Sequence, residues 1–226
     1  MILLVAPLEA EARHLTAGLA ARGLVLTAAT AGALPVEIDE ARRLAVARGG
    51  HGKAQLAAQT RHLLDHLPEV DLVCCAGAAG ALTAEVAPGD VVVATETVEH
   101  DYTLRFATRP LPRFPGHGVT LARLRALAPV PGYRVHFGPV ASGDEDVVDP
   151  ARAAALAAAT GALAVAWEGA GGARACAITG TPFVELRAVT DGATADAPIH
   201  FAERLPAAMI HLADLIARYT LGQGGS

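Results

Sequence analysis

Short apolar runs alternate with alanine-rich segments along this chain, and this alternation constrains the fold more than any other feature of the sequence. Residues 1–6 and 71–76 are largely apolar, and 90–97 contains the apolar run 91–93, as is typical of strands buried on both faces of a sheet. The segments 9–22 and 53–67 have the residue spacing of helices. Strands that alternate with helices predict an α/β fold with a mostly parallel sheet covered on both faces.

The same patterns assign the rest of the chain. Further strands are predicted at 24–29, 36–40, 43–48, 134–140, 163–165 and 183–189, and further helices at 151–159, 170–179 and 201–221. Pro206 falls early in the last helix, so its regular part is expected to begin near that residue. Glycines at 77–80 predict a loop after the second strand, and prolines predict a long loop over 105–118.

Bulk properties limit the possible functions. The 226 residues, 52% of them hydrophobic, predict one domain over 1–221 and a flexible tail at 222–226. The net charge of −5 and the lack of a basic run argue against nucleic-acid binding. The opening apolar run is too short for a membrane span and lacks the basic flank of a signal peptide. Three cysteines without a C-x-x-C motif favour a reducing, cytoplasmic setting. The lack of zinc-ligand spacing and the scattered positions of the nine His residues argue against a metal site.

The stretch 184–194, V-E-L-R-A-V-T-D-G-A-T, is where chemistry is expected. Arg187 interrupts a buried strand, and a buried charge is costly unless it is paired. Asp191 follows at the carboxyl end of the strand, where α/β sheets place ligands. A carboxyl group there can hydrogen-bond a ligand or protonate it. An Asp that caps the next segment, with Arg187 in a structural ion pair, is the alternative reading.

Four segments together resemble one family. They are A-P-L-E-A-E at 6–11, G-H-G-K at 50–53, C-A-G-A-A-G-A-L-T-A-E-V-A-P-G-D at 75–90, and the region from W-E-G-A at 167 through E-L-R-A-V-T-D at 191. In order and spacing they resemble the 5′-methylthioadenosine/S-adenosylhomocysteine nucleosidases of the purine nucleoside phosphorylase superfamily. The resemblance implies a three-layer α/β/α sandwich with a mixed, mostly parallel sheet. It also implies a homodimer that hydrolyses the N-ribosyl bond of small purine nucleosides without metal or organic cofactor.

That chemistry makes three demands on a protein. Cleavage passes through an oxocarbenium-like state, as in other glycosidic hydrolysis. The purine leaves readily only when its N7 is protonated or hydrogen-bonded, and a base must activate the water that attacks C1′. The ribose hydroxyls, in addition, need a carboxylate to hold them. By the resemblance, Glu11 activates the water, Glu168 binds the ribose hydroxyls and Asp191 faces N7, with Arg187 as its neighbour on the strand. Glu11 and Glu168 also fit an ordinary acidic residue at a helix start, which the helix dipole favours.

The resemblance assigns a second set of residues to substrate binding. Ala78 and Gly80 lie in the glycine-containing segment, which can approach a ligand closely. Val147 matches a contact to the base, and Trp167 lies beside Glu168. Phe201 matches an apolar residue at the 5′ substituent, although a core Phe at a helix start is an alternative.

Three positions depart from the family pattern. Ala78 replaces a serine that orients the catalytic Asp, so backbone N–H groups or a water must hold Asp191. Asp146 stands where the family stacks an aromatic ring on adenine. His51 replaces an apolar residue near the 5′ group, where it favours a polar or carboxylate-bearing substituent, unless it is a surface His in a glycine turn.

The departures keep other functions open. Futalosine hydrolase of menaquinone biosynthesis (or aminodeoxyfutalosine nucleosidase) has the same fold, and the 5′ substituent of its substrate carries a carboxylate. The E-L-R segment resembles that group of enzymes. The resemblance implies an Asn in that group where this chain has Asp191, and Asp191 fits adenine recognition better. A phosphorolytic nucleoside phosphorylase needs arginines that converge on phosphate, and 5–12 and 74–82 contain none. A non-catalytic nucleoside-binding module would not need the pair Glu11 and Asp191.

Overall fold

A computed structural model describes residues 1–67, 69–104, 106 and 108–222. Ten strands form one sheet in the order β10-β6-β8-β9-β5-β1-β4-β3-β2, and β7 pairs with β6. The strands are β1 Ile2–Ala6, β2 Thr27–Ala31, β3 Leu34–Asp39, β4 Leu44–Arg48, β5 Leu72–Ala81, β6 Val91–Glu99, β7 Arg113–Pro115, β8 Val135–Ser142, β9 Ala164–Ala166 and β10 Phe183–Asp191. The helices are α1 Glu9–Ala20, α2 Lys53–His66, α3 Gly118–Arg125, α4 Pro150–Thr160, α5 Gly169–Thr179 and α6 Ala197–Leu221.

The sheet is mixed, and its central strands are parallel. Parallel pairing joins β4 to β1, β1 to β5 and β5 to β10, as well as β6 to β8 and β8 to β9. Antiparallel pairing joins β10 to β6, β5 to β9 and the hairpins at β2–β3–β4 and β6–β7. Because β10 pairs with both β5 and β6, these strands close with β8 and β9 into a ring around small apolar side chains.

Helices cover both faces of the parallel strands. Alternate residues of β1 point to opposite faces: Leu4 packs with the core under α1 and α6, and Leu3 and Val5 pack with the core under α2 and α5. The mixed α/β fold class predicted from the sequence is confirmed. The division into residues 1–221 and a tail remains a prediction, since residues 223–226 lie outside the described part of the chain.

Four local predictions are wrong at the level of elements. The predicted loop 77–80 belongs to β5, because the ladder with β10 continues to the pair Gly80–Asp191. Asp191 is for the same reason the last residue of β10 rather than beyond it. Pro206 lies inside α6, which begins nine residues earlier, at Ala197. Its ring removes the N–H that would otherwise bond to the carbonyl of Ala202, an exposed residue.

The fourth correction concerns the predicted loop 105–118. Its end forms β7, and α3 begins at Gly118. Proline at the end of an edge strand such as β7 leaves the ladder intact, since no donor is required there. Residues 105 and 107 of this segment lie outside the described residues.

Candidate active site

A cavity of about 350 Å³ lies where β1, β4, β5 and β10 end, beside the segments that follow β8 and β9. The carboxyl ends of parallel strands are the usual ligand site of an α/β sheet. The residues that line the cavity are Leu8, Glu11, His51, Ala78, Ala79, Gly80, Glu145, Asp146, Val147, Val148, Val165, Ala166, Trp167, Glu168, Thr190, Asp191, Ala197, Pro198 and Phe201. Nine of the ten residues selected from the sequence are in this lining, and Arg187 lies beneath it.

Glu11 is buried and held by two backbone donors. Its Oε1 accepts from Ala78 N–H at 2.7 Å, and its Oε2 accepts from Leu8 N–H at 2.8 Å in the first turn of α1. Burial raises the pKa of Glu11 to about 7, with a further contribution from the charge of Glu168, against the lowering effect of those N–H groups and Arg187. A carboxyl group with this pKa can exchange a proton near neutral pH, as a general base must.

Asp191 is the last residue of β10 and lines the same cavity. Its Oδ2 accepts from Thr190 Oγ1 at 2.8 Å, and its Oδ1 accepts from Ala193 N–H at 2.9 Å. The register of β10 against β5 shifts between Val189 and Asp191, which turns the carboxyl group toward Gly80. A Cβ on Gly80 would be 2.8 Å from Asp191 Oδ1, so any larger residue there would displace the Asp191 carboxyl group.

The serine that is absent at position 78 is therefore replaced by other donors. A hydroxyl group and a backbone N–H hold Asp191, and Ala78 instead binds Glu11 through its own N–H group. The backbone N–H expected from the sequence is present, whereas the Thr190 hydroxyl is a contact that sequence reasoning missed.

Glu168 immediately precedes α5 and is 5% exposed. Its Oε2 is 3.4 Å from Arg187 Nη2, and its Oε1 is 3.6 Å from His51 Nδ1. The His51 ring, half-exposed at the opening of the cavity, lies 4.2 Å from the Trp167 ring between centroids. His51 thus contacts the edge of the predicted ribose site and is no isolated surface residue.

Arg187 is buried beneath the cavity and bound on all sides. Besides Glu168, it donates to Glu185 Oε1 at 2.7 Å, Ala78 O at 3.2 Å and Cys75 Sγ at 3.4 Å. Burial opposes its charge, but the neighbouring acidic side chains raise the pKa of Arg187, so it remains a cation. Sequence reasoning missed Glu185, although opposite charges two residues apart on a strand share a face and can pair.

The part of the lining that is expected to face the purine base is more exposed than the three acidic residues. Val147 is buried, whereas Asp146 and Val148 are exposed and Phe201 is partly buried. Glu145 is bound to Arg152 by two contacts of 2.7 Å. Among the described residues, no cluster of three or more His, Cys, Asp or Glu side chains is arranged to hold a metal ion, and no helix is both long and apolar enough to cross a bilayer.

Two known proteins with similar sequences are named as nucleosidases. A protein from Bacillus pumilus named 5′-methylthioadenosine/S-adenosylhomocysteine nucleosidase is 32% identical over 58% of this chain and 60% of its own. One of the same name from Actinobacillus succinogenes is 35% identical over 53% of this chain and 56% of its own. The matched segments thus span less than two thirds of these curated relatives.

Solved structures match over almost the whole chain. The nucleosidase of the same name from Neisseria meningitidis, solved with methylthio-immucillin-A, is 29% identical over 96% of this chain and 97% of its own, with a TM-score of 0.83. Futalosine hydrolase from Helicobacter pylori, at 22% identity over 98% and 97%, shares the fold with a TM-score of 0.84. Residues 22–220 also match the profile of the family described as the phosphorylase superfamily. Because that match takes in most of the 226 residues, the chain belongs to the phosphorylase superfamily.

Proposed function

We propose that this protein hydrolyses the N-ribosyl bond of 5′-substituted adenine nucleosides, 5′-methylthioadenosine and S-adenosylhomocysteine, to adenine and the 5′-substituted ribose. The observation that carries the proposal is the convergence of Glu11, Glu168 and Asp191 on one cavity. These are the three acids that cleavage requires for the water, the ribose and the purine. The names of the related proteins support the same reaction.

Glu11 is the proposed general base. It takes a proton from water as the water oxygen bonds to C1′, and the C1′–N9 bond breaks with its electron pair passing to the purine. Its pKa of about 7 supports this role, because the carboxylate form is available near neutral pH yet is basic enough to accept a proton. The backbone N–H groups of Leu8 and Ala78 fix its orientation.

Asp191 is the proposed acid at N7 of the leaving purine. Thr190 and Ala193 hold its two oxygens. A proton shared between Asp191 and N7 neutralises the charge that the departing base acquires. Glu11 has then gained one proton and the purine has received one from Asp191, and exchange with solvent restores both side chains.

Glu168 is proposed to accept hydrogen bonds from the ribose 2′- and 3′-hydroxyls. Its contact to Arg187 at 3.4 Å fixes one oxygen. The other oxygen faces the cavity beside His51. Hydrogen bonds to an ionised acceptor are stronger than neutral ones, so this carboxylate orients the sugar over Glu11.

Hydrolysis is favoured over phosphorolysis. Phosphate binding needs converging cationic donors, and no Arg or Lys is among the described residues of the cavity lining. Arg187 lies beneath the lining with its charge engaged by Glu185 and Glu168. A phosphate ion in this cavity would instead face the carboxyl groups of Glu11 and Glu168.

Futalosine hydrolysis is the second candidate, and His51 is the observation that favours it. A protonated His51 at the opening could pair with a carboxylate on the 5′ substituent. The lining weighs against it, since it contains five acidic side chains and His51 as its one basic side chain among the described residues. A neutral methylthio group avoids that repulsion.

The test is to incubate the purified protein with 5′-methylthioadenosine, S-adenosylhomocysteine, 5′-deoxyadenosine and futalosine, each with and without phosphate. Adenine release from the first two, at a rate independent of phosphate and with free 5′-substituted ribose as product, is expected. Phosphate-dependent release of a ribose 1-phosphate would establish phosphorolysis. Binding without release would establish a binding module, and release from futalosine alone would establish the second candidate.

A homodimer in the cytoplasm, without cofactor, membrane or nucleic-acid partner, completes the proposal. Cys74, Cys75 and Cys176 are buried and form no disulfide, which suits a reducing compartment. The dimer follows from the family resemblance. Sedimentation equilibrium at working concentrations tests the dimer, with a monomer mass as the contrary result.

A further inference from the structure

A fully buried pair of opposite charges lies beneath the cavity. Glu185 and Arg187 are two residues apart on β10, so their side chains share one face of the strand, and neither side chain is more than 1% exposed. Arg187 Nε donates to Glu185 Oε1 at 2.7 Å. Hydrophobic side chains of similar size would fill this space at a lower desolvation cost, so stability alone does not explain the pair.

Glu185 is held firmly in place. Thr97 Oγ1 donates to its Oε2 at 2.5 Å. The carboxyl group also packs against Gly169, where a Cβ would be 2.2 Å from Oε2. Gly169 is the first residue of α5 and follows Glu168, so Glu185 lies at a helix N-terminus, where a negative charge is favoured.

Arg187 connects the buried pair to two acidic residues of the cavity, Glu168 and Glu11. Its Nη2 is 3.4 Å from Glu168 Oε2. A Cβ on Gly77 would be 2.9 Å from both Arg187 Nη1 and Glu11 Oε1. These two atoms therefore lie within about 6 Å of each other, a range at which an opposite charge lowers the pKa of a carboxyl group. One guanidinium is thus shared among Glu185, Glu168 and Glu11.

We propose that Glu185 is a positioning residue for this site. It fixes the Arg187 guanidinium between Glu168 and Glu11, and its negative charge partly offsets the effect of the Arg187 charge on Glu11. The inference rests on the proposed hydrolysis. Glu185 is outside the cavity lining and acts through Arg187. Without the charge of Glu185, Arg187 would stabilise the Glu11 carboxylate more strongly and make it a weaker base.

Other titratable groups surround Glu11 and Arg187. The Cys75 thiol on β5 contacts Arg187, and burial raises the pKa of this thiol. His51 faces Glu168 from the segment before α2. The remaining acidic groups in the lining are Glu145, Asp146 and Asp191. A variant of Glu185 alone substitutes none of these side chains.

The test uses Glu185→Gln. The amide oxygen can still accept from Arg187 Nε and the amide nitrogen can donate to Thr97, so shape is kept and one charge is lost. The matched control is Asp214→Asn, which removes a carboxylate from a pair with Arg22 outside the cavity. For each protein, adenine release from 5′-methylthioadenosine is measured as kcat/KM from about pH 5 to 9, a range that brackets the base. Infrared difference spectroscopy follows the carboxyl titration, with Glu11→Gln to identify the Glu11 band.

In Glu185→Gln, the acid limb of kcat/KM and the infrared midpoint of Glu11 are both expected to move down by about 1 pH unit. Neither should move in Asp214→Asn. A uniform loss of activity or a lower Tm with both midpoints unchanged would mean that Glu185 is merely structural, and would overturn the inference.

A second variant decides the matter if Glu185→Gln does not fold. Thr97→Val loosens Glu185 without removing a charge, and is expected to lower kcat/KM by about 2- to 10-fold, the effect of losing one hydrogen bond. Unchanged kinetics in this variant would overturn the inference. If the wild type releases no base from any nucleoside, the proposed function fails, whereas the infrared midpoint still tests Glu185.

Discussion

The cavity has a floor and a mouth that are built differently. The floor consists of Glu11, Glu168 and Asp191, each at most 7% exposed and each held by backbone, hydroxyl or guanidinium donors. The mouth consists of His51 and Asp146, which are both exposed. Floor groups are therefore fixed before any ligand arrives, and mouth groups can adjust to the ligand.

This difference separates chemistry from substrate choice. Pre-organised groups act most strongly on the transition state, so substitution of Glu11 or Asp191, the floor groups at the reacting atoms, should change kcat. Substitution of Glu168, the floor group that would hold the ribose, should mainly change KM. Exposed groups contribute less to binding, so substitutions in the mouth should change only the preference among substrates. Two of the three departures from the family pattern, His51 and Asp146, are in the mouth.

Glu11→Gln is expected to have the largest effect. Loss of the general base should lower kcat by about 10³- to 10⁴-fold, the upper part of the range for such groups. The wild type should gain kcat/KM as pH rises through about 7, since the base works only when ionised, and the variant should lack that limb. Stopped assays of adenine release across this pH range provide the measurement.

The matched control for this variant is Glu9→Gln, two residues away. Glu9 is exposed and pairs with Arg48 on the surface, so its substitution should leave turnover unchanged. A near-normal kcat in Glu11→Gln would remove Glu11 from the mechanism. Equal losses in both variants would indicate damage to α1 instead.

Asp191→Asn should have the next largest effect, a loss of about 10²-fold in kcat on adenine nucleosides. Asn keeps the contacts to Thr190 and Ala193 and can still hydrogen-bond N7, but it cannot donate a proton to it. Asp196→Asn, an exposed Asp just before α6, is the control. Unchanged adenine release would refute the leaving-group role, and a gain on an inosine-type substrate would favour the futalosine candidate.

Glu168→Gln should mainly raise KM. Hydrogen bonds to a charged group contribute about 1.5–3 kcal/mol, or roughly 10- to 150-fold in affinity. A 2′,3′-dideoxy substrate tests the contact directly, because its own loss should almost vanish in the variant. If the losses from the variant and the dideoxy substrate add fully, Glu168 does not touch the ribose.

The acidic residues of the floor could be predicted from the sequence more fully than the strand and the hydrogen bonds that hold them. Asp191 was selected because an apolar run marks the strand that ends beside it, and Glu11 was assigned by the family resemblance. The strand through 77–80 could not be found that way, since glycine and alanine favour no strand; pairing with β10 determines its conformation. The hold of Thr190 and Ala193 on Asp191 depends on a register shift, which local sequence does not encode.

Glu185 was missed because the residues of its strand were considered one at a time. Arg187 drew notice as a lone charge in an apolar run, but a strand places residues two apart on the same face. The pair of charges was therefore legible in the sequence. The sequence does not show that Gly169 leaves space for the Glu185 carboxyl group, or that Thr97 supplies a hydrogen-bond donor to it.

His51→Ile should have the smallest effect and sharpens the contrast between mouth and floor. Protonated His51 can pair with a carboxylate on a 5′ substituent, and a half-exposed pair of this kind gives about 2- to 5-fold in affinity. At acidic pH, the ratio of kcat/KM for S-adenosylhomocysteine or a benzoate-bearing substrate to that for 5′-methylthioadenosine should therefore be higher in the wild type than in the variant. Ile should restore the preference for the methylthio group, because an apolar wall suits an apolar tail. Glu168 competes for the same imidazole from 3.6 Å, which keeps the effect small. Ratios of kcat/KM for the two substrates from about pH 5.5 to 8 measure it, and identical ratios in wild type and variant would assign His51 to Glu168 alone.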